Sequence, residues 1–240
     1  CEETCDAPPI GAWFGSAEAL VMTRSTQGDQ FWSTSDTTSG ALLMNSDQAA
    51  VGWAGGYEIQ IGRRTCCGSA WEVTYWNLES LEGDQQVRSF ANPGQLSTPL
   101  DVGLVTFNGV DASNYFNGAH LHRIERYDSA QNLELNFWQA PVPVRDGRLS
   151  VNCLAGVRWM QFNDQLIFGS VSGGGGGGLV PAAANFGDNG GASEAYLNVD
   201  TRNNLVGFQL GSHADFSWRS GWSLFCTPRV GIYANFMDQS

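Results

Sequence analysis

Apolar and polar residues alternate along most of this chain with a period of two. Between Ala12 and Arg24, Ala17, Ala19 and Val21 alternate with Ser16, Glu18 and Leu20, and Trp13 and Phe14 mark the start. Over 51–64, Trp53, Gly55, Tyr57, Ile59 and Ile61 share one face and Ala54, Gly56, Glu58, Gln60 and Gly62 the other. Such alternation predicts strands with two unlike faces. Residues 69–81 repeat the pattern, with Trp71, Val73 and Tyr75 opposite Glu72 and Thr74, and Arg63 to Gly68 reads as the turn of a hairpin. Further strands are predicted over 118–127, 131–140, 148–163 with a continuation to Val171, 204–218 and 221–236. Weaker ones fall at 100–107 and 193–200. Short turns are expected at Ser129-Ala130 and Ser220-Gly221, and polar loops at about 25–48, 82–98 and 172–192. The last loop holds the glycine tract from Gly173 to Gly178, backbone without side chains to pack. A Cys- and Pro-containing tail, 1–10, precedes a single β domain, 11–240. No helix with credible caps and no internal repeat emerges.

Composition changes the meaning of the alternation. Charged residues make up only 15 % of the chain, against about a quarter in soluble domains, so much of the surface faces something other than water. No stretch approaches the roughly 18 apolar residues of a spanning helix. An aromatic-rich, charge-poor chain of alternating strands fits an all-β, antiparallel up-and-down transmembrane β-barrel of about 8–12 strands, with short turns on one side and long polar loops on the other. The apolar faces then meet lipid, and the opposite faces line a lumen that carries Glu18, Glu58, Glu72, Glu134, Arg158, His213, Asp215 and Arg229. Acids and arginines can pair across such a space. Trp13, Trp53, Trp159, Trp218, Trp222 and Phe236 lie near strand ends, where interfacial girdles belong. The competing all-β reading is a soluble secreted β-sandwich, an adhesin or filament subunit, with the charges on its solvated face.

The formal net charge is −12, and all twelve basic residues are arginine. This balance argues against nucleic acid as a partner and against attachment to anionic lipid by charge. Membrane lipid is the expected partner, with other copies of the chain or other envelope proteins as further candidates. Six cysteines suggest an oxidising, extracytoplasmic setting. Cys1, Cys5, Cys66 and Cys67 are the candidate disulfide cysteines, whereas Cys153 and Cys226 share parity with apolar residues and read as small hydrophobes.

Candidate chemistry is sparse. His120 and His122 are two apart, yet spacing suggests no third metal ligand. Asp111-Ala112-Ser113-Asn114 and Asp188-Asn189-Gly190-Gly191 read as turns rather than calcium loops. The glycine tract lacks the ending of a phosphate loop, and no nucleophile elbow is present. Glu58 and Glu72 could mimic a glycosidase pair, but ion pairing with Arg158 is the simpler expectation. No catalytic residue, metal or cofactor is therefore expected. Two functions remain: a small-solute channel, or a non-conducting barrel that organises the cell surface.

Several segments also resemble a known family. They are Trp13-Phe14-Gly15-Ser16-Ala17-Glu18, Gly156-Val157-Arg158-Trp159, the run from Asn203 to Gly211, and Gly231-Ile232-Tyr233. In order and character these are similar to the planctomycete outer-membrane β-barrel porins, the seventh such group. The resemblance implies an outer-membrane location and a barrel fold.

Overall fold

The computed structural model describes residues 12–25, 30–35, 39–65, 68–89, 95–101, 105–107, 109–144, 148–172, 186–187, 193–218 and 222–240. The fold is all-β, built on a strongly curled antiparallel sheet, a half-barrel. Strands follow in the order β1 (Trp13–Met22), β2 (Phe31–Ser35), β3 (Leu42–Asn45), β4 (Ala54–Arg64), β5 (Ala70–Arg88), β6 (Leu96–Ser97) and β7 (Thr106–Phe107). Then come β8 (Val110–Asp111), a single helical turn α1 (Ser113–Phe116), β9 (Leu121–Trp138), β10 (Val142–Val144), β11 (Leu149–Ser172), β12 (Ser193–Ser217), β13 (Ser223–Cys226) and β14 (Arg229–Gln239).

The main sheet is an up-and-down meander, β1-β4-β5-β9-β11-β12, with β13 and β14 both on the outer side of β12 and β10 beside β11. All of its pairings are antiparallel, so the outermost strands, β1 and β14, run in the same direction. Connections at one end, 65–69, 139–148 and 218–228, are short. Those at the other end, 23–53, 89–120 and 173–192, are long. The curl is steep enough for side chains to span it. Arg24, just past β1, places Nη1 2.6 Å from Asp164 Oδ2 on β11. At about 4.8 Å per strand these positions lie roughly 19 Å apart along the sheet, so the side chain crosses a chord of the curve.

The register divides the sheet into two storeys. In the lower storey the usual burial pattern is inverted. On β9, Asn132, Glu134 and Asn136 are buried while Leu133, Leu135 and Phe137 are exposed; Glu134 is 3 % accessible and Leu135 51 %. Paired strands continue both rows. The outward row runs Ile61–Val73–Leu135–Val157–Phe208–Ile232, and the inward row holds Gln60, Thr74, Glu134 and Arg158. An outward ladder of amides bounds the apolar field: Gln131 Nε2 donates to Gln161 Oε1 at 2.6 Å, and Gln161 Nε2 to Asn204 Oδ1 at 2.9 Å. From Leu149 to Trp159 the strand rises about 33 Å at ~3.3 Å per residue, or about 25 Å at a barrel-like tilt. Aromatic pairs flank the field: Trp13 and Trp71, with ring centroids 5.4 Å apart, at the lower edge, and Tyr57 and Tyr75, at 6.1 Å, at the upper.

Above the amide ladder the pattern is that of a water-soluble protein. Outward positions on β5 become Glu82, Asp84 and Gln86, paired with Tyr127, Glu125 and Arg123 on β9. The inward face carries Ile124 and Phe168, and the long excursions fold onto it: Trp32, Met44, Ala49 and Phe116 complete a buried apolar core. Phe116 stacks on Phe168 with centroids 5.3 Å apart. The approach is close at Gly83, where a Cβ would meet the carbonyl oxygens of Ala49 and Ala50 at 2.7 and 2.6 Å.

Several expectations are corrected. The turn at Ser129-Ala130 does not form, because both residues pair mid-strand with Asn163 and Phe162, so 118–127 and 131–140 are one strand, β9. The loop expected over 82–98 is strand to Arg88. The 25–48 loop contains β2 and β3, which form a small second sheet with β6. Of the weak strand at 100–107, only Thr106–Phe107 pairs among the described residues, with β8. Residues 193–200 are simply the start of β12. Among the described residues the main sheet holds nine strands, which occupy seven positions across its width, and it curls as a half-barrel. Most of the 172–192 loop, with its glycine tract and Asp188 to Gly191, lies outside the described residues, as do the Ser220-Gly221 turn and Cys1, Cys5, Cys66 and Cys67. Cys153 and Cys226 are free and exposed, on opposite sides of β12, where they pair with Ser212 and Ala214.

His122 belongs to the upper core. Its Nδ1 lies 2.9 Å from Ser33 Oγ and its Nε2 2.8 Å from the Phe116 carbonyl oxygen, which can only accept, so Nε2 carries a proton and donates. Burial pushes its pKa down to about 4, although the hydrogen bond to the Phe116 carbonyl opposes the shift. Because the folded value is depressed, the stabilisation is complete above the unfolded value of about 6.5 and drains away as pH falls towards 4. Denaturant unfolding at pH 7 and pH 4 should show wild type losing on the order of 3 kcal/mol more than His122→Gln. Equal losses would contradict this role.

Candidate functional site

The inward face of the lower storey is the most developed polar site in the fold. At its centre is the Glu134 carboxylate. Arg229 Nη1, from β14, lies 2.6 Å from Glu134 Oε2, and Arg158 Nε, from β11, lies 3.4 Å from Oε1. Neutral donors complete the shell. Gln209 Nε2 and Asn136 Nδ2 donate to Oε2 at 2.8 and 3.0 Å, and Asn132 Nδ2 donates to Oε1 at 3.3 Å. Arg158 Nε also donates to Asn132 Oδ1 at 2.5 Å. A second carboxylate joins the edge of the network: Trp138 Nε1 donates to Glu72 Oε2 at 3.0 Å, and Asn136 Nδ2 reaches Oε1 at 3.4 Å.

Period-two geometry explains the assembly. Glu134, Asn132 and Asn136 are alternate residues of one strand and so point the same way. Gly156 and Gly207 stand beside them on β11 and β12 because the long side chains need room. A Cβ on Gly156 would come 2.7 Å from the Leu135 carbonyl oxygen and would collide with Asn136 Oδ1.

By register all eight residues singled out from the sequence lie on this inward face, but they do not form one cluster. Glu134, Arg158 and Arg229 meet, with Glu72 at the margin. The partner of Arg158 is thus Glu134, not Glu58 or Glu72. Glu18 and Glu58 pair across β1 and β4. His213 Nδ1 lies 2.9 Å from Thr227 Oγ1, with its ring between those of Trp138 and Phe225, and Asp215 accepts from Ser217 Oγ at 3.3 Å. Asn132, Asn136 and Gln209, each at most 1 % accessible, were not singled out. The usable signal was their parity with Glu134 and Gly207. Arg24, with Asp128 and Asp164, was also missed, because Arg24 stands at a strand end and Asp128 beside the expected turn.

Other candidates resolve into local structure. Asp111 Oδ1 accepts from the Ser113 backbone N–H at 2.8 Å and from Ser113 Oγ at 2.6 Å, so this segment is a turn that starts α1. His120 and His122 are both buried, and among the described residues no group of three metal-ligating side chains occurs. No helix among the described residues is long and apolar enough to cross a membrane, which says nothing of strands. No family model matches the chain, and no curated protein or solved structure matches it.

The network combines a buried acid with two arginines, so removing the acid leaves cations without a counter-charge. Glu134→Ala should destabilise the fold by about 3 kcal/mol or more, and the double replacement Glu134→Met/Arg229→Met by less than the sum of its single changes. Denaturant unfolding followed by tryptophan fluorescence measures both, and additivity would contradict the coupling.

Proposed function

We propose that this protein is an outer-membrane β-barrel that does not conduct, anchoring a folded, water-facing upper storey at the cell surface. The observation that carries this reading is the inverted lower storey. A soluble sheet buries its apolar face and wets its polar one, whereas here polar residues are buried and the exposed face is continuously apolar. Phe208 at 74 % and Ile232 at 85 % accessibility would cost heavily in water, and the apolar field far exceeds the patches that soluble monomers carry. A field about 25 Å tall with aromatic edges suits the hydrocarbon core of a bilayer. In lipid no backbone edge is left unpaired, so in this reading β1 and β14 close the barrel through a parallel seam. The resemblance to planctomycete outer-membrane porins points to the same compartment.

Two features support a non-conducting barrel over a channel. The Glu134 network occupies the inward face within the apolar field, and the Trp32, Met44, Phe116 and Phe168 core packs on that face above it. Narrow barrels of about eight strands are generally filled by their own side chains.

Fractionation and electrophysiology test the two halves of the proposal. The folded protein should leave cell envelopes with detergent but not with salt or chelator, and should give a closed trace in planar bilayers. Release by salt or chelator would contradict the membrane assignment. Stepwise conductance from folded protein would restore the channel reading.

A further inference from the structure

Between the Glu134 network and the apolar core lies a cavity of about 620 Å³ on the concave side of the sheet. Much of its wall is an apolar cluster: Leu78, Leu81 and Ala130 are buried together, and Trp76 packs against them. Phe162 extends this wall, paired with Ala130 by register, yet keeps 40 % of its surface accessible. The polar groups at the boundary are engaged with one another. Arg24 Nη1 lies 2.8 Å from Asp128 Oδ2 and 2.6 Å from Asp164 Oδ2, and Arg126 Nη2 lies 3.7 Å from Asp164 Oδ2, so two cations answer two anions. Asn235 Nδ2 donates to Asn203 Oδ1 at 3.0 Å. A boundary balanced in this way favours no charged ligand, and the apolar wall holds water poorly and suits an apolar guest.

The rim narrows the choice of guest. Near the cavity the alternation breaks on both outermost strands, where neighbouring apolar residues point both ways. On β1, Val21 faces outward and Met22 inward; on β14, Phe236 faces outward and Met237 inward, and all four are exposed. Met22 lines the cavity, and Met237 lies two residues beyond Asn235, a lining residue on the same face. β1 ends at Met22, so its pairing with another strand goes no further there, and Thr23, Arg24 and Ser25 continue the cavity's rim. Apolar surface therefore runs from the outer field over both lips into the cavity. A flexible hydrocarbon chain can follow that path, whereas a rigid ring system would have to part the strands. The volume lies in the range of small-molecule sites. We propose that this cavity takes up one fatty-acyl chain, which passes between Met22 and Met237 and lies along Phe162 and Trp76 while its polar head stays at the rim. That a bilayer supplies the chain rests on the membrane reading above; the cavity itself does not.

Contact quenching by bromine tests it. The full chain is folded in a fluorinated surfactant, whose chains mix poorly with hydrocarbon, and titrated with stearate brominated at mid-chain or with a phosphatidylcholine carrying the same brominated chains. The difference between wild type and Trp76→Phe isolates the Trp76 signal, which at least one probe should quench saturably. Saturation by the acid alone assigns a free fatty acid, and saturation by the phospholipid assigns a membrane lipid; both support the site. Phe162→Asn, at a half-open position, should raise the apparent Kd about tenfold. Met22→Asn, at the rim, should weaken uptake in the same direction and serves if the first variant fails to fold. No saturable loss of the Trp76 signal with either probe, or an unchanged Kd in the folded variants, would overturn the proposal. Saturable quenching in a protein that salt releases from envelopes would contradict the membrane reading and leave the site standing, whereas no quenching in a protein that needs detergent would do the reverse.

Discussion

Placing the Glu134 carboxylate inside a sheet costs several kcal/mol unless charge and hydrogen bonds offset it, and the lower storey is organised around that requirement. Two arginines and three amides converge on one side chain from β9, β11, β12 and β14. They can do so only if the sheet curls, because β14 lies three positions from β9. Curling in turn commits the opposite face to the outside. That face is apolar from β4 to β14, so the side chains that satisfy the interior leave the exterior without polar cover.

The amide ladder of Gln131, Gln161 and Asn204 marks where this arrangement ends. Below it, hydrogen bonding is concentrated on the concave side. Above it, the convex side carries charges, and the concave side holds a conventional apolar core closed by the excursions. One set of strands therefore crosses two environments without changing register on β9, β11 or β12. Only β5 adjusts, with an irregularity between Leu78 and Leu81 at the level of the transition.

Much of this was legible from alternation. Period-two patterning identified β1, β4, the first half of β5, β11 and the second half of β12, and separated the two faces of each. It failed where chemistry changes along a strand. Residues 82–88 read as a loop because Glu82, Asp84 and Gln86 face outward in the upper storey, where apolar residues are no longer required. Ser129 and Ala130 read as a turn because they are small and polar or neutral, yet small residues suit a strand passing from one environment to the other. The Glu134 cluster was half legible: strand parity gave the face, but the choice of Glu134 over Glu58 or Glu72 as the partner of Arg158 depends on stagger and curl. The link from Arg24 to Asp128 and Asp164 spans the whole chord and has no local signature.

The proposed membrane role requires the convex face below the amide ladder to contact lipid. A nitroxide scan along β11 in lipid vesicles, from Val151 to Ile167, tests it most directly by comparing accessibility to oxygen and to a water-soluble nickel chelate. Oxygen accessibility should be high at Val151, Cys153, Ala155, Val157 and Trp159, low at the intervening inward positions, and replaced by nickel accessibility from Gln161 onward. Uniform nickel accessibility at Ala155, Val157 and Trp159 in the folded protein would contradict the account.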